Sequence, residues 1–286
     1  MVTQGSESIG RFGSQGPDPA QDRPVIVFDH VQLAFADNVV LKDMSFTLLS
    51  GRTKIILGAS GSGKSTTLKI ITGLLRADAG AVTVNGRRVD QLTENQMMAV
   101  RADLGMIFQE GALFDSLTVR ENVGYKLFEE TDMPLDQANA RVEEMLGFVG
   151  LGEFIDRMPS ELSGGQRRRV AIARAMAFKP SILLYDEATT GLDPITAITV
   201  NDEIIKLRDL EEVASIVVTH QLRDAFYVAT HMAVSGPDGK VSIVDATPEK
   251  EEETEFIMLR DGLIVFEGDA TDLRKSTDKY LQTFLS

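Results

Sequence analysis

The stretch Gly58-Ala59-Ser60-Gly61-Ser62-Gly63-Lys64-Ser65-Thr66 has the spacing G-x-x-x-x-G-K-S and decides the fold. A short apolar, β-branched run at Thr53–Leu57 precedes it, and a segment with helical spacing at Thr66–Leu75 follows it. A strand, a glycine loop and a helix in this order direct backbone N–H groups and the positive end of the helix at one anion. The stretch therefore predicts a phosphate-binding loop.

The loop sequence predicts that this segment binds a nucleoside triphosphate together with Mg²⁺. Lys64 can reach the β- and γ-phosphates, and the Ser65 hydroxyl can bind Mg²⁺. The other predicted phosphate-binding positions, which act mainly through backbone N–H groups, are Gly58, Ser60, Gly61, Ser62, Gly63 and Thr66. We therefore expect a nucleoside triphosphate and Mg²⁺ as ligands of this loop.

Composition limits the classes of protein to which the chain can belong. Its 286 residues suffice for one large domain or two small ones, and the 43% that are hydrophobic allow a sizeable core. A net charge of −14 argues against non-specific nucleic-acid binding, which needs a basic surface. The sequence has no cysteine, which excludes disulfides and fits a reducing cytoplasm.

Hydropathy predicts a soluble chain that reaches a membrane only through a partner. No segment has the length and apolar character of a transmembrane helix, and residues 1–15 lack the apolar centre of a signal peptide. Residues 1–23 are rich in Gly, Ser, Gln, Asp and Pro, and we predict a disordered tail there.

Residues 24–286 are predicted to form one α/β domain. Strand–helix–strand alternation between residues 181 and 218 indicates a parallel sheet with right-handed crossovers. Helical spacing indicates an inserted helical subdomain at about residues 91–162. The acidic, turn-rich residues 235–255 are predicted to form an exposed excursion between two strands.

Two acids end the apolar strand Ile182–Tyr185. The carboxyl ends of central parallel strands lie at the sheet edge that carries the phosphate loop. Asp186 is therefore predicted to hold Mg²⁺, directly or through water. Glu187 is predicted to orient or deprotonate the attacking water. Paired acids are also common at surfaces, and the upstream phosphate loop is what favours the catalytic interpretation.

A second predicted anion site, Leu162-Ser163-Gly164-Gly165-Gln166, precedes a helix that begins near Arg167. Serine and two glycines at a helix N-terminus can bind an anion. Because the first loop already holds a triphosphate, the simplest interpretation is that this second loop serves a nucleotide on another copy of the chain.

Taken in order, these stretches resemble the ATP-binding cassette (ABC) ATPases over about residues 25–286. The segments that carry the resemblance are Gly58–Ser65, Gln109, LSGGQ at 162–166, LLYDE at 183–187, Gly191-Leu192-Asp193-Pro194 and His220. The resemblance implies a P-loop NTPase with the ABC ATPase fold, which has a RecA-like core, an antiparallel β subdomain and an inserted helical subdomain. It also implies ATP hydrolysis by a homodimer at the cytoplasmic face of the inner membrane.

The resemblance assigns roles to residues whose type alone indicates none. Phe35 matches the aromatic residue that stacks on adenine, with an ordinary strand aromatic as the alternative. Gln109 matches the glutamine that contacts Mg²⁺ or the attacking water. Ser163 and Gly165 match contacts to the γ-phosphate across the dimer, and Asp193 matches the residue that couples the two sites.

His220 matches the histidine that contacts the γ-phosphate in the same family. A lone histidine at a strand end is usually structural, which is the alternative. Its position after the acid pair favours the functional interpretation.

A narrower resemblance covers Phe108–Val123 and the terminal TFLS. Both are similar to the ATPase subunits of Mla/Mkl-type phospholipid transporters, which work with a permease and an MCE-domain protein. This implies lipid transport, with the permease docking near Glu110–Leu117. The apolar residues of that segment could instead belong to the core.

Other functions stay open at this point. The chain could energise another ABC importer, such as one for amino acids. A soluble ABC protein of translation or DNA repair usually has two cassettes or a long coiled coil, and this sequence shows neither. A regulator without catalysis is disfavoured by Glu187, Gln109 and His220. The favoured prediction is the ATPase subunit of a lipid transporter.

Overall fold

The computed structural model describes residues 23–36 and 38–285, so residues 1–22 of the tail predicted at residues 1–23 lie outside the described residues. The described residues form twelve strands: β1 (Pro24–Phe35), β2 (Asn38–Leu49), β3 (Thr53–Gly58), β4 (Ala79–Val84), β5 (Arg87–Arg88), β6 (Leu104–Ile107), β7 (Ile182–Asp186), β8 (Ala214–Val218), β9 (His231–Ser235), β10 (Val241–Asp245), β11 (Thr254–Arg260) and β12 (Leu263–Gly268). They also form ten α-helices: α1 (Lys64–Ile71), α2 (Glu94–Arg101), α3 (Val119–Glu130), α4 (Leu135–Phe148), α5 (Gly164–Met176), α6 (Pro194–Leu210), α7 (Leu222–Thr230), α8 (Pro248–Glu251), α9 (Ala270–Lys275) and α10 (Lys279–Leu285).

Ten of these strands form one sheet, in the order β5-β4-β1-β2-β12-β11-β3-β8-β7-β6. Strands β11, β3, β8, β7 and β6 are parallel neighbours, whereas β1, β2, β4 and β5 pair antiparallel. The hairpin β11–β12 connects the two parts, since β12 also pairs with β2 at Leu263 and Asp43. The predicted α/β fold, with a parallel core and an antiparallel β subdomain, is confirmed.

The parallel strands are covered on both faces, which is why they read as continuous apolar runs. On β7, Leu183 and Tyr185 pack into the hydrophobic cluster formed with α3 to α7. Ile182 and Leu184 point the other way, into the cluster formed with α1, α2 and the antiparallel strands. This two-sided burial holds the carboxyl ends of β3, β7 and β8 in one place.

Two helices differ from the sequence-based expectation. Helix α1 runs over Lys64–Ile71 rather than Thr66–Leu75. Gly63 is the N-cap with φ 106°, and the left-handed Gly73 with φ +69° ends the helix early. Helix α2 lies within the helical subdomain predicted at about residues 91–162, but no separate helix was expected over its residues, although Thr93 and Gln96 form a capping box at its start.

The inserted segment at residues 91–162 is only partly helical. It contains β6, which pairs with β7 in the parallel sheet, as well as α2, α3 and α4. Helices α3, α4 and α5 contribute Val123, Val142 and Val170 to one buried cluster. Within residues 23–36 and 38–285, no helix combines the length and apolar character needed to cross a bilayer.

Residues 235–255, predicted to be an exposed excursion, contain regular structure. Strand β10 pairs antiparallel with β9 in a separate two-stranded sheet, and α8 follows. Lys250 Nζ lies 3.0 Å from Oδ1 of the buried Asp209. Thr254 and Glu255 belong to β11, beside β3. The segment that can be removed without cutting the sheet therefore ends before Thr254.

Replacing residues 236–245 with a short Gly-Ser linker is expected to change the thermal unfolding midpoint by less than about 2 °C. Ile243 is the described β10 side chain that packs against the core, so little apolar surface is lost. Lys250→Ala should lower the midpoint more, because it removes a partner of a buried carboxylate. Circular dichroism melting curves check both variants. The reverse ranking would show that the hairpin supports the fold.

Candidate functional site

The loop between β3 and α1 packs against protein atoms on one side and is open on the other. A Cβ atom at Gly58 would lie 2.5 Å from the Leu259 carbonyl oxygen, so only glycine fits there. A Cβ atom at Gly61, where φ is +81°, would meet no atom within 4 Å. The Ser62 hydroxyl is buried and has no hydrogen-bond partner among the described residues. An open cradle with an unpaired hydroxyl fits a bound phosphate.

Lys64 lies beneath this loop and is 5% exposed. Its Nζ donates to the carbonyl oxygens of Gly58 at 2.8 Å and Ala59 at 3.1 Å, and lies 3.9 Å from Glu187 Oε1. Burial lowers the pKa of Lys64, while Glu187 and Asp186 act in the opposite direction. A cation held in this position is suited to a multivalent anion in the loop.

Asp186, at the end of β7, accepts a 2.8 Å hydrogen bond from the Ser65 hydroxyl. Burial raises the pKa of Asp186, and the Ser65 hydrogen bond opposes that rise. The two side chains offer adjacent hard oxygens, as Mg²⁺ prefers. Among the described residues no cluster of three or more acids or histidines could hold a metal alone. Ser65 and Asp186 therefore fit a Mg²⁺ ion that also uses phosphate and water oxygens.

Glu187 has a left-handed backbone conformation, with φ 50°. This conformation costs a non-glycine residue on the order of 1–2 kcal/mol. The Glu187 N–H donates to Val218 O at 2.9 Å, and Oε2 accepts a 3.1 Å hydrogen bond from the Thr190 hydroxyl. His220 Nδ1, just beyond β8, lies 3.2 Å from Oε1. The turn thus brings Glu187, His220 and Lys64 together at the sheet edge.

Gln109 is not part of that group in the structure. It is exposed after β6 and lines a groove of about 560 Å³ together with Gly164, Arg168 and Thr190. Among the described residues no hydrogen bond or ion pair joins Gln109 to Asp186 or Glu187. A Mg²⁺ or water contact of Gln109 stays a prediction.

The Leu162–Gln166 loop begins α5 with a capping box. The Ser163 hydroxyl accepts from the Gln166 N–H at 3.3 Å, and Gln166 Oε1 accepts from the Ser163 N–H at 2.8 Å. A Cβ atom at Gly165 would lie 2.1 Å from Thr196 Cγ2, so this glycine permits close packing of α5 on α6. Within the part of the chain that the structure describes, no hydrogen bond or ion pair joins this loop to Gly58–Ser65.

Phe35 and Asp193 lie at element ends. Phe35 ends β1 with 48% of its surface exposed, so its ring is free to stack on a planar ligand. Asp193 is the N-cap of α6, where Oδ1 accepts from the N–H groups of Ile195 and Thr196, both at 3.1 Å. These hydrogen bonds give Asp193 a structural function besides the predicted coupling role.

Sequence reasoning missed Arg168, which is buried on α5 and hydrogen-bonds the backbone just after Glu187. A signal was present, because Arg168 follows Gly165 by three residues and precedes Ile172 by four. This spacing places all three on one face of a helix. Because residues 167–169 are all arginine, the sequence alone does not show that Arg168 differs from its two neighbours.

Comparisons with known proteins agree with this geometry. Residues 41–190 match the family model described as ABC transporter. The chain is 37% identical over 263 residues to Protein TRIGALACTOSYLDIACYLGLYCEROL 3, chloroplastic, of Arabidopsis thaliana, covering 89% of this chain and 71% of that protein. It is 38% identical over 246 residues to the methionine import ATP-binding protein MetN of Bifidobacterium longum, covering 82% of this chain and 61% of that protein. The chain thus spans less than two thirds of this second relative.

Solved structures of ABC proteins superpose on this chain. A dimeric post-hydrolysis state of the ATP-binding cassette MJ0796 bound to ADP and Pi superposes with a TM-score of 0.69 at 28% identity, covering 85% of this chain and 98% of that one. CbiO1 from Clostridium perfringens, part of the ABC transporter complex cbiONQ, superposes with a TM-score of 0.73 over 92% of this chain and 95% of that one. At 22% identity, the second likeness concerns the fold alone.

Proposed function

Because this chain belongs to the ABC transporter family of ATPases, we propose that it is the ATP-hydrolysing subunit of a membrane transporter. The observation that carries the proposal is the arrangement at one sheet edge of an open phosphate loop, the Ser65–Asp186 pair and the Glu187–His220 pair. Each pair supplies one function that phosphoryl transfer to water needs.

The loop amides and Lys64 Nζ bind the triphosphate of ATP. Ser65 and Asp186 would hold Mg²⁺, which would supply positive charge to offset the negative charge of the triphosphate. Glu187 accepts a proton from the water whose oxygen attacks the γ-phosphorus, and the bond from that phosphorus to the ADP oxygen breaks. His220 holds the Glu187 carboxylate and contacts the γ-phosphate.

The acting unit is proposed to be a head-to-tail homodimer. One chain has one phosphate loop and one Leu162–Gln166 loop, and a two-fold axis lets each phosphate loop face the partner's second loop. Ser163 and Gly165 then contact the γ-phosphate bound by the partner, and Asp193 couples the two sites. The dimeric state of the related MJ0796 cassette supports this arrangement.

A permease is proposed to dock on the segment Glu110–Leu117. Phe114 is 43% exposed and its ring lies 4.7 Å from that of Tyr125, which is 39% exposed. The buried Asn122 fixes the backbone beneath, because its side chain exchanges hydrogen bonds of 2.8 and 3.0 Å with the N–H and C=O of Phe114. A rigid backbone that presents exposed aromatic rings suits a partner helix.

Phe114→Asp is expected to reduce co-purification with membrane proteins by roughly tenfold or more, since it places a charge in an apolar contact. Met98→Asp is the matched control, because Met98 is also an exposed apolar residue, on α2. Both variants should stay soluble. Equal recovery of membrane partners with the two variants, or aggregation of the Phe114 variant alone, would contradict docking at this segment.

We propose a phospholipid or another lipid as the transported substrate, with an MCE-domain protein as a further partner. The support is the resemblance of Phe108–Val123 to Mla/Mkl-type subunits and the lipid named in the Arabidopsis relative. The similarity to MetN supports a second candidate, an amino-acid importer. In either case the chain would act at the cytoplasmic face of the inner membrane.

Purification of the tagged full-length chain from detergent-solubilised membranes tests these proposals. Mass spectrometry should identify a permease, an MCE-domain protein and bound phospholipid. A permease with a solute-binding protein, and ATPase activity stimulated by methionine, would support the importer instead. Recovery of the chain without any integral membrane protein would contradict a transporter function.

A further inference from the structure

Arg168 connects helix α5, which begins at the Leu162–Gln166 loop, to the turn at residues 188–190 that follows Glu187 (the catalytic turn). Its side chain is 6% exposed on α5. Nε donates to Ala188 O at 2.8 Å, and Nη2 donates to Thr190 O at 2.9 Å. These two carbonyl groups belong to the turn that directly follows Glu187. The planar guanidinium therefore fixes two backbone groups at once.

The turn held by Arg168 determines where the Glu187 carboxylate points. The Thr190 N–H donates to Glu187 O at 3.1 Å, and the Thr190 hydroxyl donates to Glu187 Oε2, also at 3.1 Å. Glu187 itself has φ 50°, a conformation that persists in a non-glycine residue only when the surroundings hold it. Arg168 binds the carbonyl group of the same Thr190 whose hydroxyl holds the carboxylate.

The neighbouring arginines do not share this function. Arg167 Nη1 donates to Leu162 O at 2.7 Å, and Arg169 Nη1 donates to Val149 O at 2.9 Å, at the end of α4. Three consecutive arginines thus bind three different parts of the structure. Arg169 provides a matched control, because it is the same residue type on the same helix.

We propose that Arg168 is a positioning residue that holds Glu187 in its hydrolytic conformation. The proposal rests on the proposed function of Glu187 as the group that activates water. Helix α5 begins at the Leu162–Gln166 loop, which in the proposed dimer faces the partner's nucleotide. Arg168 therefore also holds this loop and the chain's own catalytic turn together as one rigid unit. Arg168 further lines the groove that contains Glu110 of the docking segment.

Steady-state ATPase kinetics of the full chain, alone and in the assembled transporter, test the proposal. Arg168→Met is expected to lower kcat by about tenfold while KM for ATP changes by less than about twofold, because misplacing a catalytic group affects turnover rather than binding. Arg168→Lys, which cannot reproduce the two-pronged contact, should also be impaired. Arg169→Met should keep kcat within about twofold of the unaltered chain. Thr190→Val should lower kcat without disturbing a buried charge, so the test does not depend on Arg168→Met folding.

A double-mutant cycle separates positioning from general destabilisation. In a Glu187→Gln background, measured over hours with γ-labelled ATP, adding Arg168→Met should reduce the residual rate by less than about twofold, because both changes act on one group. A further tenfold loss would overturn the proposal, and so would unchanged kcat in both Arg168→Lys and Thr190→Val. If Lys64→Ala, run alongside, also keeps full turnover, the proposed ATPase site itself is wrong.

Discussion

Lys64→Ala is expected to lower ATP turnover by about 10²–10³-fold or more. Lys64 Nζ is buried against the phosphate loop and 3.9 Å from Glu187 Oε1, where little water screens its charge. In the proposed mechanism, removal of this cation takes away the point charge that stabilises the β- and γ-phosphates as negative charge shifts during hydrolysis. Phosphate release measured at saturating ATP and Mg²⁺ checks the result.

Lys275→Ala is the matched control for this prediction. Lys275 is exposed in the last turn of α9, so its removal should leave turnover within about twofold. Circular dichroism must show that the Lys64 variant is folded, because Lys64 also donates to the carbonyl oxygens of Gly58 and Ala59. Full turnover in a folded Lys64 variant would contradict the assignment of the phosphate loop.

Glu187→Gln is expected to trap an ATP-bound dimer. The amide keeps the shape of the side chain but cannot take a proton from water, so turnover should fall by about 10²–10³-fold. In the proposed dimer, ATP should then persist at the interface between the phosphate loop of one chain and the Leu162–Gln166 loop of the other. Size-exclusion chromatography with light scattering should show a dimer with ATP and Mg²⁺ and less dimer with ADP.

Ser163→Arg added to the Glu187→Gln variant should abolish this dimer, because a long side chain then fills the loop that faces the partner's nucleotide. Ser163 also caps α5, so the loss of a helix cap needs its own control. Thr93→Arg provides it, since Thr93 caps α2 with the same type of capping box. The Thr93 variant should still dimerise.

The same measurements are needed on the assembled transporter, because the permease can bring the two chains together. There, closure is read from a distance between spin labels on the two chains. If Glu187→Gln hydrolyses ATP like the unaltered transporter and no ATP-dependent closure occurs, the proposed mechanism is wrong.

The local sequence pattern was sufficient to predict the fold and the order in which the functional segments follow one another along the chain. The phosphate loop is a continuous stretch between a strand and a helix, so sequence neighbours are also neighbours in space. The acid pair follows an apolar strand directly, and a parallel topology fixes the sheet edge at which both segments lie. The sequence by itself therefore determined the ABC ATPase fold and the sheet edge that carries the phosphate loop, without help from long-range contacts.

Only the tertiary structure decided how side chains distant along the chain meet. Arg167, Arg168 and Arg169 are identical in type, and their carbonyl partners are known only once α4, α5 and the catalytic turn are packed. The left-handed turn at Glu187 is likewise fixed by contacts with Val218, Thr190 and His220. Periodicity reports which face of a helix is buried, but not which backbone group lies opposite. The geometry of the candidate site therefore depends on packing between elements, whereas the fold was predictable from the sequence pattern within each element.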